Sequence, residues 1–264
     1  MLSAEHIAEY KERGYLFIPD LLTSEEVAVL KSDIPRIFAM QRPEVWREAG
    51  SDAVRAAFAV HEYSEPFRLL SRHPRLIGAA MDLIGGGVYM HQFKVNGKEA
   101  YVGEGFIWHQ DFGSWQRNDG MPQPHALNIA LFLDPVTEFN GPLWVIPASH
   151  RQGVIDAEYD TEASSFALWQ PDKDEIRRLA DENGIVASHG EPGAALLFHC
   201  QLLHASPPNQ SPWARNIVYI SANSVDNAAR SYTREAFIAQ RDFTPIEPLD
   251  SDCLTRYSRM MNSC

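Results

Sequence analysis

The chain has few cysteines and no long apolar segment. Its three cysteines, Cys200, Cys253 and Cys264, form no CxxC pair and leave one thiol over, which favours buried or terminal thiols in a reducing cytoplasm over a disulfide framework. No run approaches the roughly 18 apolar residues of a membrane span. The first residues also lack the basic start and apolar stretch of a secretory signal. A cytoplasmic protein without a membrane anchor is therefore predicted.

The chain also lacks an excess of basic residues, because its formal net charge is −12. Nucleic-acid binding depends on clustered lysine and arginine, so nucleic acid is not an expected partner. There is no GxSxG or P-loop pattern, and Gly85-Gly86-Gly87 follows a helical pattern without the GxGxxG spacing. These absences argue against simple hydrolases, NTPases and nucleotide binding. A small-molecule substrate is the expected partner, and the sequence indicates no oligomeric state.

Helical patterns dominate the first third of the chain, and strand patterns dominate the rest. Helices are predicted over 3–13, from the cap at Thr23, over 74–84 and over 175–183, with a strand at 15–18. Short strand-like runs separated by turn residues follow at 88–95, 105–109, 127–133, 143–146, 194–199 and 217–222. This pattern of short strands and turns predicts a mainly β sandwich or jelly roll, with helices packed on its outer faces, in one domain spanning 1–264.

The segment Trp108-His109-Gln110-Asp111-Phe112 carries the clearest chemical signal. If it continues as a strand, residues i and i+2 point to the same face, so His109 and Asp111 would present a nitrogen and an oxygen donor together. A second imidazole is available at His204, after a further apolar run. Two neutral imidazoles and one carboxylate form the facial triad that suits Fe(II), because three coordination positions stay open for a cosubstrate and O2.

An HxD pattern alone is weak evidence, since a hydrogen-bonded core histidine and a capping aspartate also explain it. The aromatic surroundings favour the metal interpretation, because an ionised Asp111 among Phe106, Phe112 and Trp115 needs a charged partner. His199 is an alternative distal ligand to His204. His150 is expected to hydrogen-bond a loop instead.

Arg215 supplies an independent feature, because it follows His204 by eleven positions and precedes a strand-like run. A guanidinium that points into a β-barrel near iron can bind a carboxylate through two parallel hydrogen bonds. The expected acid is 2-oxoglutarate, whose oxo and adjacent carboxylate groups chelate the metal while the far carboxylate needs a cation. A surface ion pair is the alternative role for this arginine.

Together these residues resemble the phytanoyl-CoA dioxygenase superfamily of Fe(II)- and 2-oxoglutarate-dependent oxygenases. Within it, the chain is most similar to ectoine hydroxylases and related bacterial hydroxylases of free amino acids. The matching segments cover nearly the whole chain and occur in one order: Gly14-Tyr15, Trp108 to Phe112, Asp119-Gly120-Met121-Pro122, Asn140-Gly141-Pro142-Leu143, Ile146 to His150, His204-Ala205-Ser206, Arg215 and Arg241 to Pro245.

The resemblance implies a double-stranded β-helix with the metal near one mouth. It implies the iron ligands His109, Asp111 and His204. It further implies cosubstrate contacts at Arg215, Ser206, Gln92 and Asn128, the last standing where ectoine hydroxylase has a serine. Pocket positions match Phe106, Trp115 and Phe198.

The chain departs from the ectoine hydroxylases around the substrate. Lys94 stands where they have arginine, Phe112 replaces a small hydroxyl residue, and Gln110 replaces the serine at the centre of HxD. Retention of Asp111 implies hydroxylation, because related halogenases lack the carboxylate and bind chloride there.

The sequence therefore predicts a 2-oxoglutarate-dependent dioxygenase that hydroxylates an unactivated C–H bond of a small amino acid or amino-acid derivative. Lys94 and Arg234 are the candidates that bind the substrate carboxylate. Three alternatives stay open: an ectoine 5-hydroxylase or a natural-product tailoring oxygenase, a jelly roll that binds a small molecule without turnover, and a metal-dependent isomerase or hydrolase.

Overall fold

The computed structural model describes residues 1–161 and 167–261. Its helices are α1 (Ala4–Arg13), α2 (Ser24–Phe38), α3 (Val60–Tyr63), α4 (Glu65–Leu70), α5 (Pro74–Ile84), α6 (Asp111–Asp119), α7 (Lys173–Asn183) and α8 (Cys253–Met261). Its strands are β1 (Tyr15–Ile18), β2 (Val45–Arg47), β3 (Val54–Phe58), β4 (Val88–Lys98), β5 (Phe106–His109), β6 (Ala126–Phe132), β7 (Leu143–Val145), β8 (Ala157–Asp160), β9 (Leu168–Pro171), β10 (Val186–Ser188), β11 (Ala195–His199), β12 (His204–Ser206) and β13 (Arg215–Ser224).

The helices predicted from capping residues form where expected. The Ser3 side chain accepts a hydrogen bond from the backbone N–H of His6, and Gly14 ends α1 with a positive φ of 79°. At the start of α2, Thr23 and Glu26 form a complete capping box. These local signals confirm the first helices and the strand between them.

Two antiparallel sheets form the centre of the fold. The larger has seven strands in the order β1-β11-β6-β13-β4-β3-β2, and the smaller has four in the order β10-β7-β12-β5. The strands β8 and β9 form a separate hairpin. This arrangement confirms the predicted jelly roll with flanking helices.

The larger sheet has two buried faces with different contents. One face packs in a core with apolar side chains of the helices, through Phe93, Val95, Ile129, Leu131, Leu197, Val218 and Ile220. The alternate residues face the smaller sheet, and these include Ala130, Phe132, Leu196, Phe198, Ile217 and Tyr219. Strand side chains alternate between faces, so Lys94 and Asn96, which alternate with Phe93 and Val95, are directed between the sheets together with Tyr219.

Strand β4 is longer than the predicted 88–95 and ends at Lys98. It pairs with β13 along its whole length, with one irregularity opposite Ser221 and Ala222. Gly97 lies in this extension, and a side chain would not fit there because the carbonyl oxygen of Val54 would lie only 2.7 Å from an added Cβ. The extension therefore places one more lysine on the inner face of the sheet.

Two of the three cysteines, Cys200 and Cys253, are free and buried as predicted. Cys264 lies outside the described residues. No helix in the described part of the chain has the length and apolar character needed to cross a membrane.

Candidate metal centre

Three predicted ligand residues come together between the sheets. His109 ends β5, His204 begins β12, and the two residues lie opposite each other in the pairing of these strands. Asp111 completes the group, and one ligand atom from each of the three residues lies within 4.8 Å of the others. The Nε2 atoms of His109 and His204 lie 3.7 Å and 3.5 Å from the Asp111 carboxylate oxygens.

The expected strand geometry of the HxD segment is wrong. Asp111 is the first residue of α6, and Gln110 before it is the N-cap with an extended conformation. The chain turns from strand to helix between the two ligands, so they converge by this turn instead of sharing one face of a strand. Gly113, with Phe112 before it and Trp115 after it, gives no periodic helix signal, so the sequence does not predict α6.

Both imidazole rings are oriented by backbone carbonyls. The Nδ1 atom of His109 lies 2.6 Å from the carbonyl oxygen of Ile107, and Nδ1 of His204 lies 3.0 Å from that of Leu202. A carbonyl only accepts hydrogen bonds, so each Nδ1 carries the proton and each Nε2 presents a lone pair toward Asp111. This is the tautomer and the outer support that metal-binding histidines require.

The charge states agree with a cation site. Burial, together with the neighbouring His204, lowers the pKa of His109 to about 3, so the His109 ring is neutral. Burial raises the pKa of Asp111, but His204, His109, Lys94 and the hydrogen bond from Asn128 together hold it below the ordinary value. Two neutral imidazoles and a carboxylate are the donor set of the facial triad.

Asn128 holds the carboxylate of Asp111. Its Nδ2 donates to Asp111 Oδ2 at 2.7 Å, and its Oδ1 accepts from the hydroxyl of Ser221 at 2.5 Å. Asn128 and Ser221 are paired across β6 and β13. The predicted contact of Asn128 with a cosubstrate stays a prediction, while its contact with Asp111 was not foreseen.

Two buried basic residues, Arg215 and Lys98, are paired across β13 and β4 and share a contact with Ser206. Arg215 donates through Nε to the carbonyl oxygen of Gly141 at 3.2 Å and through Nη2 to the Ser206 hydroxyl at 3.2 Å. Lys98 donates to the same hydroxyl at 2.6 Å and to the carbonyl of Pro207. Both residues are only 1% exposed. Burial lowers the pKa of Lys98 well below its usual range, and the charge of Arg215 lowers it further.

Among the described residues, Arg215 and Lys98 donate to neutral oxygens, and the Tyr219 side chain is a further hydrogen-bond partner of Arg215. Nη1 of Arg215 is buried without a partner. The buried guanidinium of Arg215 has no carboxylate from the described part of the chain in hydrogen-bond contact, so this position favours an anionic ligand, and the same anion would favour the ammonium form of Lys98. Sequence reasoning identified Arg215 and Ser206 but missed Lys98.

A cavity connects the triad with Ser206, whose hydroxyl contacts both Arg215 and Lys98. The predicted residues Lys94, Phe106, Asn128, Phe198 and Ser206 line it together with the triad residues His109, Asp111 and His204. Asn96 and Tyr219 also line it and were missed by the sequence analysis. The alternation of Lys94, Asn96 and Lys98 along one strand was the available signal, but the strand was predicted to end at Val95.

Three further predicted residues, Gln92, Trp115 and Arg234, do not line this cavity and make other contacts. Nε2 of Gln92 donates to the carbonyl of Ile238 at 3.0 Å. Trp115 packs in a separate buried cluster. Arg234 donates through Nε to Asp119 Oδ1 at 2.9 Å and also contacts the second oxygen. Their predicted roles at cosubstrate or substrate are untested.

His199 does not join the triad. Its ring lies 5.3 Å from that of His150 and 6.4 Å from that of Tyr10, measured between centroids. His150 approaches the backbone carbonyl of Lys11 at 3.3 Å, so its contact is with the last turn of α1 and not with the expected loop. The structure therefore favours His204 over His199 as the partner of His109 and Asp111.

A jelly roll with two histidines and one carboxylate converging between its sheets defines the class of mononuclear non-haem metal oxygenases. The family model of phytanoyl-CoA dioxygenase (PhyH) matches residues 10–217, and the chain belongs to this family.

Curated relatives and solved structures agree with this membership. The chain is 42% identical over 255 residues to L-proline trans-4-hydroxylase from Streptomyces griseoviridis, covering 93% of this chain and 95% of the relative. It is 35% identical over 266 residues to ectoine dioxygenase from Bordetella parapertussis, covering 95% and 86%. The structure of EctD from S. alaskensis with 2-oxoglutarate and 5-hydroxyectoine is similar with a TM-score of 0.81 and 32% identity, covering 94% and 86%.

Proposed function

We propose that the protein is an Fe(II)- and 2-oxoglutarate-dependent hydroxylase of a free small amino acid of the proline type. His109, Asp111 and His204 are the proposed iron ligands. The observation that carries the proposal is the orientation of both imidazoles, whose Nδ1 protons are held by carbonyls while Nε2 faces Asp111. Membership of the dioxygenase family and the similarity to two amino-acid hydroxylases support the reaction class.

When bound, iron with 2-oxoglutarate and O2 supplies the oxidising power that hydroxylates an unactivated C–H bond. The chain's own residues bind and orient the reactants. Arg215, Lys98 and the Ser206 hydroxyl bind the far carboxylate of 2-oxoglutarate, which compensates the charge of Arg215 and favours the ammonium form of Lys98. Phe106 and Phe198 line the cavity and exclude water from the reacting centre.

Lys94 is the proposed contact of the substrate carboxylate. Its Nζ lies 5.5 Å from the ring centroid of Tyr219 and 5.9 Å from that of Phe58. It lines the cavity beside the triad, whereas Arg234 is already paired with Asp119. An ammonium between aromatic walls suits a compact zwitterion with an apolar ring. The greater identity to the proline hydroxylase than to the ectoine dioxygenase also favours a proline-like substrate.

Incubation with Fe(II), 2-oxoglutarate and single amino acids is expected to oxidise L-proline or a close ring homologue. The expected product is heavier by one oxygen atom, and equimolar succinate is formed. Mass spectrometry and succinate determination on L-proline, L-pipecolate and ectoine distinguish the substrates. Oxidation of ectoine alone would support the ectoine hydroxylase alternative and contradict the proline-type substrate. Activity without 2-oxoglutarate and O2 would contradict the reaction class.

The proposed role of Lys94 predicts a pH dependence. The pKa of Lys94 is lowered to about 8, because the effect of burial is larger than the opposing effect of the Asp111 carboxylate. The ammonium form that binds a carboxylate is present below this pH and is lost above it. At saturating 2-oxoglutarate, kcat/KM for the amino acid is therefore expected to fall about tenfold per pH unit above pH 8.

The matched variant for this test is Lys94→Arg, which retains a charge at all accessible pH values. Its pH profile of kcat/KM is expected to lack the alkaline fall, even if its maximum value is lower. An identical alkaline fall in both proteins would show that another group is responsible and would contradict the assignment of Lys94.

A further inference from the structure

Gln110 stands between two proposed iron ligands, and its side chain is fully engaged in hydrogen bonds. Its Nε2 donates to the carbonyl oxygens of Gln201 at 2.7 Å and Gly153 at 2.9 Å. Its Oε1 accepts from the backbone N–H of Ile155 at 2.9 Å. The residue is 3% exposed. One amide therefore joins the HxD segment to two distant parts of the chain.

Local helix formation does not account for these contacts. Gln110 occupies the N-cap position of α6, but its side chain makes no capping hydrogen bond to that helix. All its partners lie at least 43 positions away along the chain. The side chain therefore acts on tertiary structure.

One of these partners lies in the turn that orients the distal ligand. The carbonyl of Gln201 accepts from Gln110, and the carbonyl of the next residue, Leu202, holds the Nδ1 proton of His204. The same turn is fixed by the N–H of Leu203, which donates to the Ser149 hydroxyl at 2.9 Å. Movement of this turn would change the direction of the His204 ring.

The second partner is the carbonyl of Gly153, and its direction depends on a backbone conformation that favours glycine. Gly153 has φ 72° and ψ −150°, a combination that is essentially limited to glycine. A Cβ added at this position would meet no atom within 4 Å. The glycine is required by the backbone alone, and this backbone directs its carbonyl to the amide of Gln110.

We propose that Gln110 is a positioning residue that fixes the His109–Asp111 segment relative to the turn before His204. The 153–155 loop holds the Gln110 side chain in place through two of its hydrogen bonds. The inference rests on the proposed function, since it requires that His109, Asp111 and His204 bind the metal. Gln110 does not touch the metal. Gln110 instead sets the distance and angle between the metal ligands. Hydrogen bonds to or around metal ligands generally control this geometry.

The test replaces Gln110 by methionine, which retains the length of the side chain and removes all three hydrogen bonds. The matched control is Gln116→Met, at an exposed position of α6. Anaerobic titration with Fe(II) is expected to give a dissociation constant raised about 10- to 100-fold in Gln110→Met and unchanged in the control. The visible spectrum of the Co(II) form, which reports ligand geometry, is expected to change only in Gln110→Met. A lower melting temperature with unchanged metal affinity and spectrum would overturn the proposal.

The Gly153→Ala variant provides a second test that leaves Gln110 in place. Its strained backbone is expected to displace the carbonyl and to shift metal affinity and the Co(II) spectrum in the same direction, by a smaller amount. Because both changes act on one contact, the double variant is expected to bind metal about as weakly as Gln110→Met alone. Additive effects, or no effect of Gly153→Ala, would contradict the proposal. Failure of the wild-type protein to bind metal more tightly than His204→Ala would contradict the proposed function instead.

Discussion

Replacement of His204 by alanine is expected to abolish both Fe(II) binding and 2-oxoglutarate-dependent turnover, whereas His199→Ala is expected to retain both. His204 presents Nε2 to Asp111 and lies opposite His109, so its loss leaves only one imidazole and one carboxylate. The loss of affinity should exceed the roughly 100-fold effect of removing an outer contact of a metal site. The measurement is anaerobic titration that follows the weak charge-transfer absorption of the complex between iron and 2-oxoglutarate.

His199→Ala is the matched control because it also removes an imidazole that is at least partly buried. Burial lowers the pKa of His199 to about 4, so the ring is neutral and packs near Tyr10 and His150. This variant is expected to lower the melting temperature without changing the absorption band. If His199→Ala lost the band and His204→Ala retained it, the assignment of the distal ligand would be wrong.

The large elements of the fold were predictable because local chemistry specifies them. The capping box of Thr23 and Glu26 starts α2, and Gly14 ends α1. The inner strands were recognised by their apolar runs and by the turn residues between them. The family resemblance then supplied the double-stranded β-helix, which the sheet order confirms.

Helix α6 could not be predicted in the same way. Gln110 is a poor N-cap and makes no capping contact, and Gly113 weakens the helical signal. The helix is instead stabilised by tertiary packing, since Phe112 and Trp115 are each 1% exposed in one buried cluster. The sequence therefore gave the correct ligands but the wrong geometry between them.

The electrostatic partners were equally inaccessible to local reasoning. Arg234 pairs with Asp119, which lies 115 positions away. Lys98 follows Gly97, a neighbour that is typical of a loop as much as of a strand. Only the pairing of β4 with β13 places this lysine beside the arginine that the sequence had singled out. Long-range register decides such contacts, and short patterns do not contain it.

Lys98→Met is expected to have opposite effects on cosubstrate binding and on stability. Loss of one charge-assisted hydrogen bond, worth about 1.5–3 kcal/mol, should raise KM for 2-oxoglutarate about 10- to 150-fold. In the absence of ligand, removal of a buried amine whose protonation is disfavoured by burial and by Arg215 should raise the melting temperature by about 2–4 °C, which corresponds to roughly 1 kcal/mol at this chain length. Steady-state kinetics and thermal unfolding measure the two effects.

The stability gain should itself depend on pH. The pKa of Lys98 is lowered by burial and by Arg215, so the unfolded chain binds more protons than the folded one between the lowered pKa and the ordinary value. Wild-type stability therefore rises with pH across that window, and the advantage of Lys98→Met shrinks as the pH approaches about 10. Lys173→Met, at an exposed position of α7, is expected to change neither KM nor this pH dependence. A less stable Lys98→Met protein with unchanged KM would mean that Lys98 supports the fold alone, and that Arg215 binds the cosubstrate without it.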